Sequence, residues 1–365
     1  MQTAAAVAGG RQPWVDHARG LCLVLIVVLH SRYALGDIAS APLFDALIEQ
    51  VRPFRLPALF FVSGLFLARL IDRPWLEFLD RRVLHYAYFY ALWASIEFAP
   101  VLLVGLLRGV PPEALASDYL MRFVAPHGPL WFIYALPLFF VLAKLLRRVP
   151  AWVVLPVAAL VSIVQPDTGW VIGDRVAARY FYFHLGYAAA AAVFAAGSQI
   201  AGRPRAALPL LGLWAVLHVA LVALFDAASQ ALTVFVLGVA GTAAVMVAGA
   251  VVSRWRAADA LAALGRRSLF VYLAFPLLLV VMRKLLEQSP VPLPGDLMVL
   301  GIVVGSILGA LLLHRLVAGT RLLGFLFERP QWARWRGPRP LGATVGSAGA
   351  TGASPGVRLE SRRLD

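Results

Sequence analysis

The chain has 365 residues, 61% of them hydrophobic and 14% charged, with a mean hydropathy of +0.79. A soluble domain is roughly half apolar and a quarter charged, so this balance excludes one. The formal net charge of +14 does not signal nucleic-acid binding, because the basic residues lie in short loops between apolar runs and in the C-terminal tail, where a membrane protein keeps its cytoplasmic cations.

In chain order, residues 1–13 are rich in Ala and Gly without apolar periodicity and are expected to form a disordered tail. Ten apolar windows follow, at 19–35, 56–71, 84–107, 130–147, 150–165, 178–197, 207–225, 228–252, 264–286 and 296–327. Most approach the roughly 20 residues that cross a bilayer as helix. The first is not a cleavable leader, because Arg32 and Tyr33 follow it where a small-residue cleavage site would lie. Arg147, Arg148 and Val149 are all that separates the fourth from the fifth, which predicts a tight helical hairpin. The last window exceeds one span, which predicts a crossing helix and then a basic extension from near His314 and Arg315.

The predicted fold class is all-α, a polytopic membrane protein with about ten transmembrane helices. With the N-terminus in the cytoplasm, the inside loops carry the larger share of Lys and Arg, among them Arg69, Arg73, Arg81, Arg82, Lys144, Arg147 and Arg148. The positive-inside rule then makes both termini cytoplasmic. The expected organisation is a tail over 1–13, one membrane domain over 14–327 and a disordered basic tail over 328–365. The single cysteine, Cys22, excludes a disulfide framework. No internal repeat is evident, which disfavours transporter folds built from repeated halves.

Polar groups inside apolar windows are costly and mark chemistry. Arg19 and His30 are eleven residues apart, roughly 16 Å along a helix and close to three whole turns, so both project from nearly one face. One cavity would expose both. A neutral His30 imidazole suits a general base taking the proton of an attacking hydroxyl; otherwise it is a helix-end histidine wetted at the interface. Arg19 is either a donor-binding group or a snorkelling anchor, with Asp16 as a partner. Glu97, inside the third window, either orients His30 as the acid does in a triad or is a protonated structural residue.

Arg81, Arg82 and His85 lie near the level of Arg19. They read as a clamp for a phosphorylated donor, because guanidinium forks match phosphate oxygens, or as ordinary positive-inside residues. His184 and His218 read as structural, and His127 as a solvated loop histidine. No metal-ligand spacing and no Walker or dinucleotide glycine pattern occurs, so neither a metal nor a permanently bound cofactor is expected.

The motifs Trp14-x-Asp16-x-x-Arg19-Gly20 with His30, then Phe54-Arg55-Leu56-Pro57-Ala58-Leu59-Phe60-Phe61-Val62-Ser63-Gly64, resemble the acyltransferase-3 family of integral-membrane O-acyltransferases. Leu130-Trp131-Phe132, Phe183-x-x-Gly186-Tyr187 and Gly265-Arg266-Arg267-Ser268-Leu269-Phe270-Val271-Tyr272-Leu273 resemble its later landmarks, so the similarity runs over about 11–327. The chain is most similar to the branch holding the succinyltransferases of periplasmic glucans and other polysaccharide acyltransferases.

The resemblance implies transfer of an acyl group, acetyl or succinyl, from cytoplasmic acyl-CoA to a hydroxyl of a glycan outside the inner membrane. It puts the family's essential Arg and His on Arg19 and His30. Its cytoplasmic Arg-x-x-Arg becomes Arg82 and His85, so the second arginine is missing and Arg81 is the candidate to compensate. Many members carry histidine where this chain has Phe275. Ser63 and backbone amides freed at Pro57 or Gly64 are candidate oxyanion donors. The competing class is a proton-coupled transporter or a lipid or glycan flippase, which buried His and Glu also suit.

Overall fold

The first long helix, α1 (Pro13–Leu35), is the axis about which the protein is built. Pro13 opens it at no cost, because the first helical N–H groups lack partners in any case. Asp16 in the first turn and Arg32 in the last complement the helix dipole. It stops at Gly36, whose φ of 55° a glycine adopts freely. Trp14, Cys22, Ile26 and Val27 are buried on different faces of α1, consistent with its central place.

A computed structural model describes residues 12–126, 128–224, 230–288, 293–318, 320 and 323–335. Among these, every regular element is helical. After α1 come α2 (Pro42–Val51), α3 (Arg55–Leu65) and α4 (Trp75–Phe78). A π-helical turn (Leu79–Leu84) joins α4 to α5 (His85–Leu107), and together these make one 33-residue apolar rod. Then follow α6 (Pro112–Val124), α7 (Trp131–Leu145), α8 (Ala151–Val164), α9 (Val171–Ala188), α10 (Ala190–Gly202), α11 (Pro204–Leu224) and α12 (Ala231–Val252). The last three are α13 (Asp259–Arg266), α14 (Ser268–Glu287) and α15 (Gly295–Ala318). α1 packs against α3, α12, α13, α14 and α15.

Each of the ten apolar windows contains a helix, but the helices differ in reach. Among the described residues, six are long and apolar enough to cross a membrane, or seven if the pair α9 and α10, bent by 71°, forms one broken span. α3 and α8, with 11 and 14 residues, are apolar but shorter than a span. The window at 264–286 is divided at Arg267, where α13 ends and α14 begins. The final window is helical to Ala318. Leu210, Leu213, Val216 and Leu217 of α11 and Leu103, Leu106 and Leu107 of α5 are exposed, as on helices whose outer faces meet lipid.

Two features position the site. First, α3 crosses α9 at close range: a Cβ on Gly64 would collide with the carbonyl oxygen of Phe183, and one on Gly186 with that of Phe61. Only hydrogen at both positions lets the backbones approach this closely. Second, residues 323–334 fold back over the bundle. Tyr88 Oη donates to the Phe325 carbonyl at 2.9 Å and Trp93 Nε1 to that of Leu326 at 3.0 Å. Within residues 328–334, expected from sequence to belong to a disordered tail, Arg329 is anchored: it is 5% exposed and ion-pairs with Asp80, while Trp332 is exposed. Residues 1–11 and 336–365 lie outside the described residues.

Candidate functional site

A cavity of about 320 Å³ lies between α1, α3, α5, α7 and α14. Its polar end carries three guanidinium groups from three separate elements: Arg19 of α1, Arg82 of the π turn and Arg266 at the end of α13. Its walls include Ser63, Phe66, Tyr86, Phe132 and Tyr272. Among the described residues none of the three arginines has a carboxylate partner within 4.0 Å. Arg19 instead lies over the Phe66 ring, 4.1 Å from its centre. Arg82 lies 5.2 Å from the centre of Phe140, makes one long bond to the Phe66 carbonyl at 3.5 Å, and leaves its Nε buried without a partner. Two of these cations, Arg19 and Arg82, are held by aromatic faces while Arg266 is exposed, and guanidinium groups gathered in this way suit the oxygens of an anion.

The π turn explains how Arg82 reaches this place. Its neighbour Arg81 is exposed and pairs with Glu77 at 3.1 Å, so it points away from the cavity. His85, where the resemblance implied a second arginine, packs on Tyr86 and Phe89 rather than lining the cavity. The clamp foreseen as Arg19, Arg81, Arg82 and His85 is thus represented on the cavity by Arg19 and Arg82. Arg266 joins them. Arg266 was named above only within the Gly265–Leu273 motif and not as a candidate site residue; its signal was the Arg266-Arg267-Ser268 run at the start of a helix.

His30 lies further along α1, on the far side of an aromatic layer. Its ring is 5.8 Å from that of Phe275 and 6.3 Å from that of Tyr33. Phe275 in turn lies 5.8 Å from Tyr272, the cavity wall at this depth, whose hydroxyl donates to the Pro129 carbonyl at 2.6 Å. One aromatic layer therefore separates the cavity from the imidazole. Arg55 stands within electrostatic reach of His30.

Glu97 is not hydrogen-bonded to His30. It lies within electrostatic reach of Arg122, Tyr90 and Tyr272, and its Oε1 is buried without a partner. The Ser63 hydroxyl donates to the Leu59 carbonyl at 2.9 Å, one turn back in its own helix, so the proton an oxyanion would need is engaged there. His184 bonds Tyr180 Oη at 3.0 Å, and His218 Nε2 bonds the Gln50 carbonyl at 2.7 Å. His127 lies outside the described residues. No group of His, Cys, Asp or Glu among the described residues is arranged to hold a metal ion.

The chain matches the model of the acyltransferase-3 family, an acyltransferase domain, over residues 12–315. It belongs to that family. This acyltransferase-3 chain is also 27% identical over 202 residues to the inner membrane protein YcfT of Escherichia coli (strain K12). That alignment covers 48% of the chain and 56% of the relative, so the chain spans about half the length of that protein. No solved structure matches it. Membership supports acyl transfer as the chemistry of an acyltransferase-3 protein, and the matched region contains Arg19, His30, Arg82 and Arg266 together.

Proposed function

We propose that this protein is a multi-pass O-acyltransferase of the bacterial inner membrane. It moves an acyl group, acetyl or succinyl, from cytoplasmic acyl-CoA to a hydroxyl of a glycan on the outer side. The observation that carries the reading is the convergence of Arg19, Arg82 and Arg266 on one cavity, with His30 three turns further along the helix that bears Arg19. Both termini are cytoplasmic in this reading, so the arginine mouth opens where acyl-CoA is found.

The division of labour follows from chemistry. The arginine forks hold the phosphates of the donor. The arm carrying the thioester passes along the cavity toward Tyr272, and movement of the Phe275 layer admits the carbonyl to His30. The imidazole accepts the proton of the acceptor hydroxyl as its oxygen bonds to the acyl carbon. The carbon–sulfur bond then breaks, and the departing thiolate recovers that proton from the imidazolium. Glu97 contributes through Tyr272 and not by touching His30. Acyl-CoA is a substrate here.

The test uses purified protein in liposomes with radiolabelled acetyl-CoA or succinyl-CoA and an envelope-glycan fraction as acceptor. Thiol release with label moving to the glycan, abolished by His30→Ala in folded protein, is the expected result. Full activity of that variant overturns the mechanism. Proton flux driven by a substrate, without thiol release from either donor, overturns the enzyme reading in favour of transport.

A further inference from the structure

A second arginine cluster lies at the opposite end of α3 from the first. Phe66, just after α3, underlies Arg19, whereas Arg55 opens the helix. Arg55 is 9% exposed, makes one bond to the Ile48 carbonyl at 3.5 Å, and leaves its Nε buried without a partner. Arg175 and Arg179, one turn apart on α9, each place a guanidinium 5.5 Å from the centre of the Trp131 ring. Arg179 is within electrostatic reach of both Arg175 and Arg55. Among the described residues none of the three forms an ion pair with a carboxylate. The acids nearby in sequence are engaged elsewhere: Glu49 with Arg52 at 2.8 Å, and Asp174 with the Thr168 hydroxyl at 2.7 Å and amide at 3.0 Å.

Glu49 stands within electrostatic reach of Arg55 but is paired with Arg52, so three cations held together without a direct ion pair repel one another, and more strongly as water is excluded. A bound anion relieves that repulsion and takes up donors that the protein leaves unused. We propose that Arg55, Arg175 and Arg179 form the acceptor subsite and that the acceptor is an acidic glycan, one bearing carboxylate groups. This rests on the acyltransferase reading above and narrows it to a substrate class. Two observations favour the acceptor over the donor as the source of the anion. Arg175 is exposed, so the cluster is open at the end of the bundle away from the Arg19 cavity. Arg55 stands within electrostatic reach of His30, so a sugar anchored by its carboxylate would bring a neighbouring hydroxyl to the imidazole.

The test measures equilibrium binding by calorimetry, with the full chain in phosphatidylcholine nanodiscs and no donor present. Trigalacturonic acid is compared with its neutral methyl ester. The acid is expected to bind about tenfold tighter or more, consistent with one or two hydrogen bonds to a charged group, and the advantage is expected to shrink as salt is raised. Arg175→Gln and Arg179→Gln should each remove most of it, while Arg179→Lys, which keeps the charge, should retain part; a monodisperse solubilised peak certifies the fold of each variant. Equal binding of acid and ester overturns the proposal. Loss of the preference when phosphatidylglycerol replaces part of the lipid assigns the cluster to lipid headgroups and overturns it as well. An Arg55→Gln variant that slows turnover of succinyl-CoA but not of acetyl-CoA, with the neutral ester as acceptor, assigns the cluster to the donor's acyl carboxylate, with the same consequence. Because binding is read without turnover, failure of acyl transfer and failure of the subsite are distinguishable.

Discussion

The ring of Phe275 lies 5.8 Å from the imidazole of His30, and Phe275 is itself 0% exposed. The neighbour of the candidate base on α14 is therefore an apolar ring. It separates His30 from the cavity wall and excludes water from the same space. Phe275→Ala is expected to cost about 3 kcal/mol, the usual price of removing a buried aromatic ring that its neighbours cannot replace. It should also let water reach the imidazole. The expected signature is a lower melting temperature in detergent, together with more thiol release in the absence of acceptor relative to transfer. Phe275→Leu should show a smaller version of both changes.

Neighbouring arginines of the π turn should separate cleanly. Arg82 lines the cavity with its Nε unpartnered, whereas Arg81 is exposed and paired with Glu77. Arg82→Ala is expected to weaken CoA binding about tenfold or more, as loss of a charge-assisted phosphate contact does. Arg81→Ala should change it by no more than about threefold, in the range of an exposed ion pair. Titration calorimetry with CoA at two salt concentrations reads both, and equal losses would mean that the donor lies outside this cavity.

The α3–α9 crossing gives a stability prediction independent of function. Gly64→Ala and Gly186→Ala each place a methyl group against backbone of the opposing helix, which can yield only by the helices parting. Each is expected to cost about 1–3 kcal/mol. The double variant should cost less than the sum, because a single separation relieves both clashes. Thermal unfolding in detergent measures all three, and strictly additive losses would show that the two sites relax independently.

Arg329 makes a prediction about the returning C-terminal segment. Its guanidinium bonds the Asp80 carbonyl at 2.5 Å and the Asp80 carboxylate, and so ties residues 323–334 to the π turn. Removing one partner of a buried pair is expected to cost about 3 kcal/mol. Arg329→Ala should therefore speed hydrogen exchange both in 323–334 and in the 79–84 turn. Arg329→Met, which fills the space without the charge, should do so less. Faster exchange confined to 323–334 would show that the turn holds its shape unaided.

Periodicity along a single helix was legible from sequence, and contacts between helices were not. The spacing of Arg19 and His30 on one face of α1 follows from the α-helical repeat alone, and the apolar windows each contain a helix. The breaks inside them were hidden for a physical reason. α9 and α10 bend by 71° about Ala189, and the residues at the bend itself, Ala188 to Ala192, are all alanine, without the proline that most plainly announces a break. The same limit applies at the site. Glu97 stood out as a lone acid in an apolar run, but a sequence holds no sign of whether its helix turns it to His30 or to Arg122. Arg266 was obscured in the opposite way, because a cation in a loop already has an explanation in topology.

The π turn at Leu79–Leu84 sets a condition on length as well as on composition. A π turn holds more residues than an α turn, and each residue advances an α-helix by about 100°. Deleting one residue between Glu77 and Tyr86 would let the turn relax to an ordinary α turn, leaving the flanking helices in phase and the rod at nearly the same hydropathy. What would be lost is the widened turn that carries Arg82, and with it the side chain's place on the cavity beside Arg19 and Tyr86. The extra residue of the turn is therefore a local device that places one guanidinium, and the helices on either side of it could tolerate its removal.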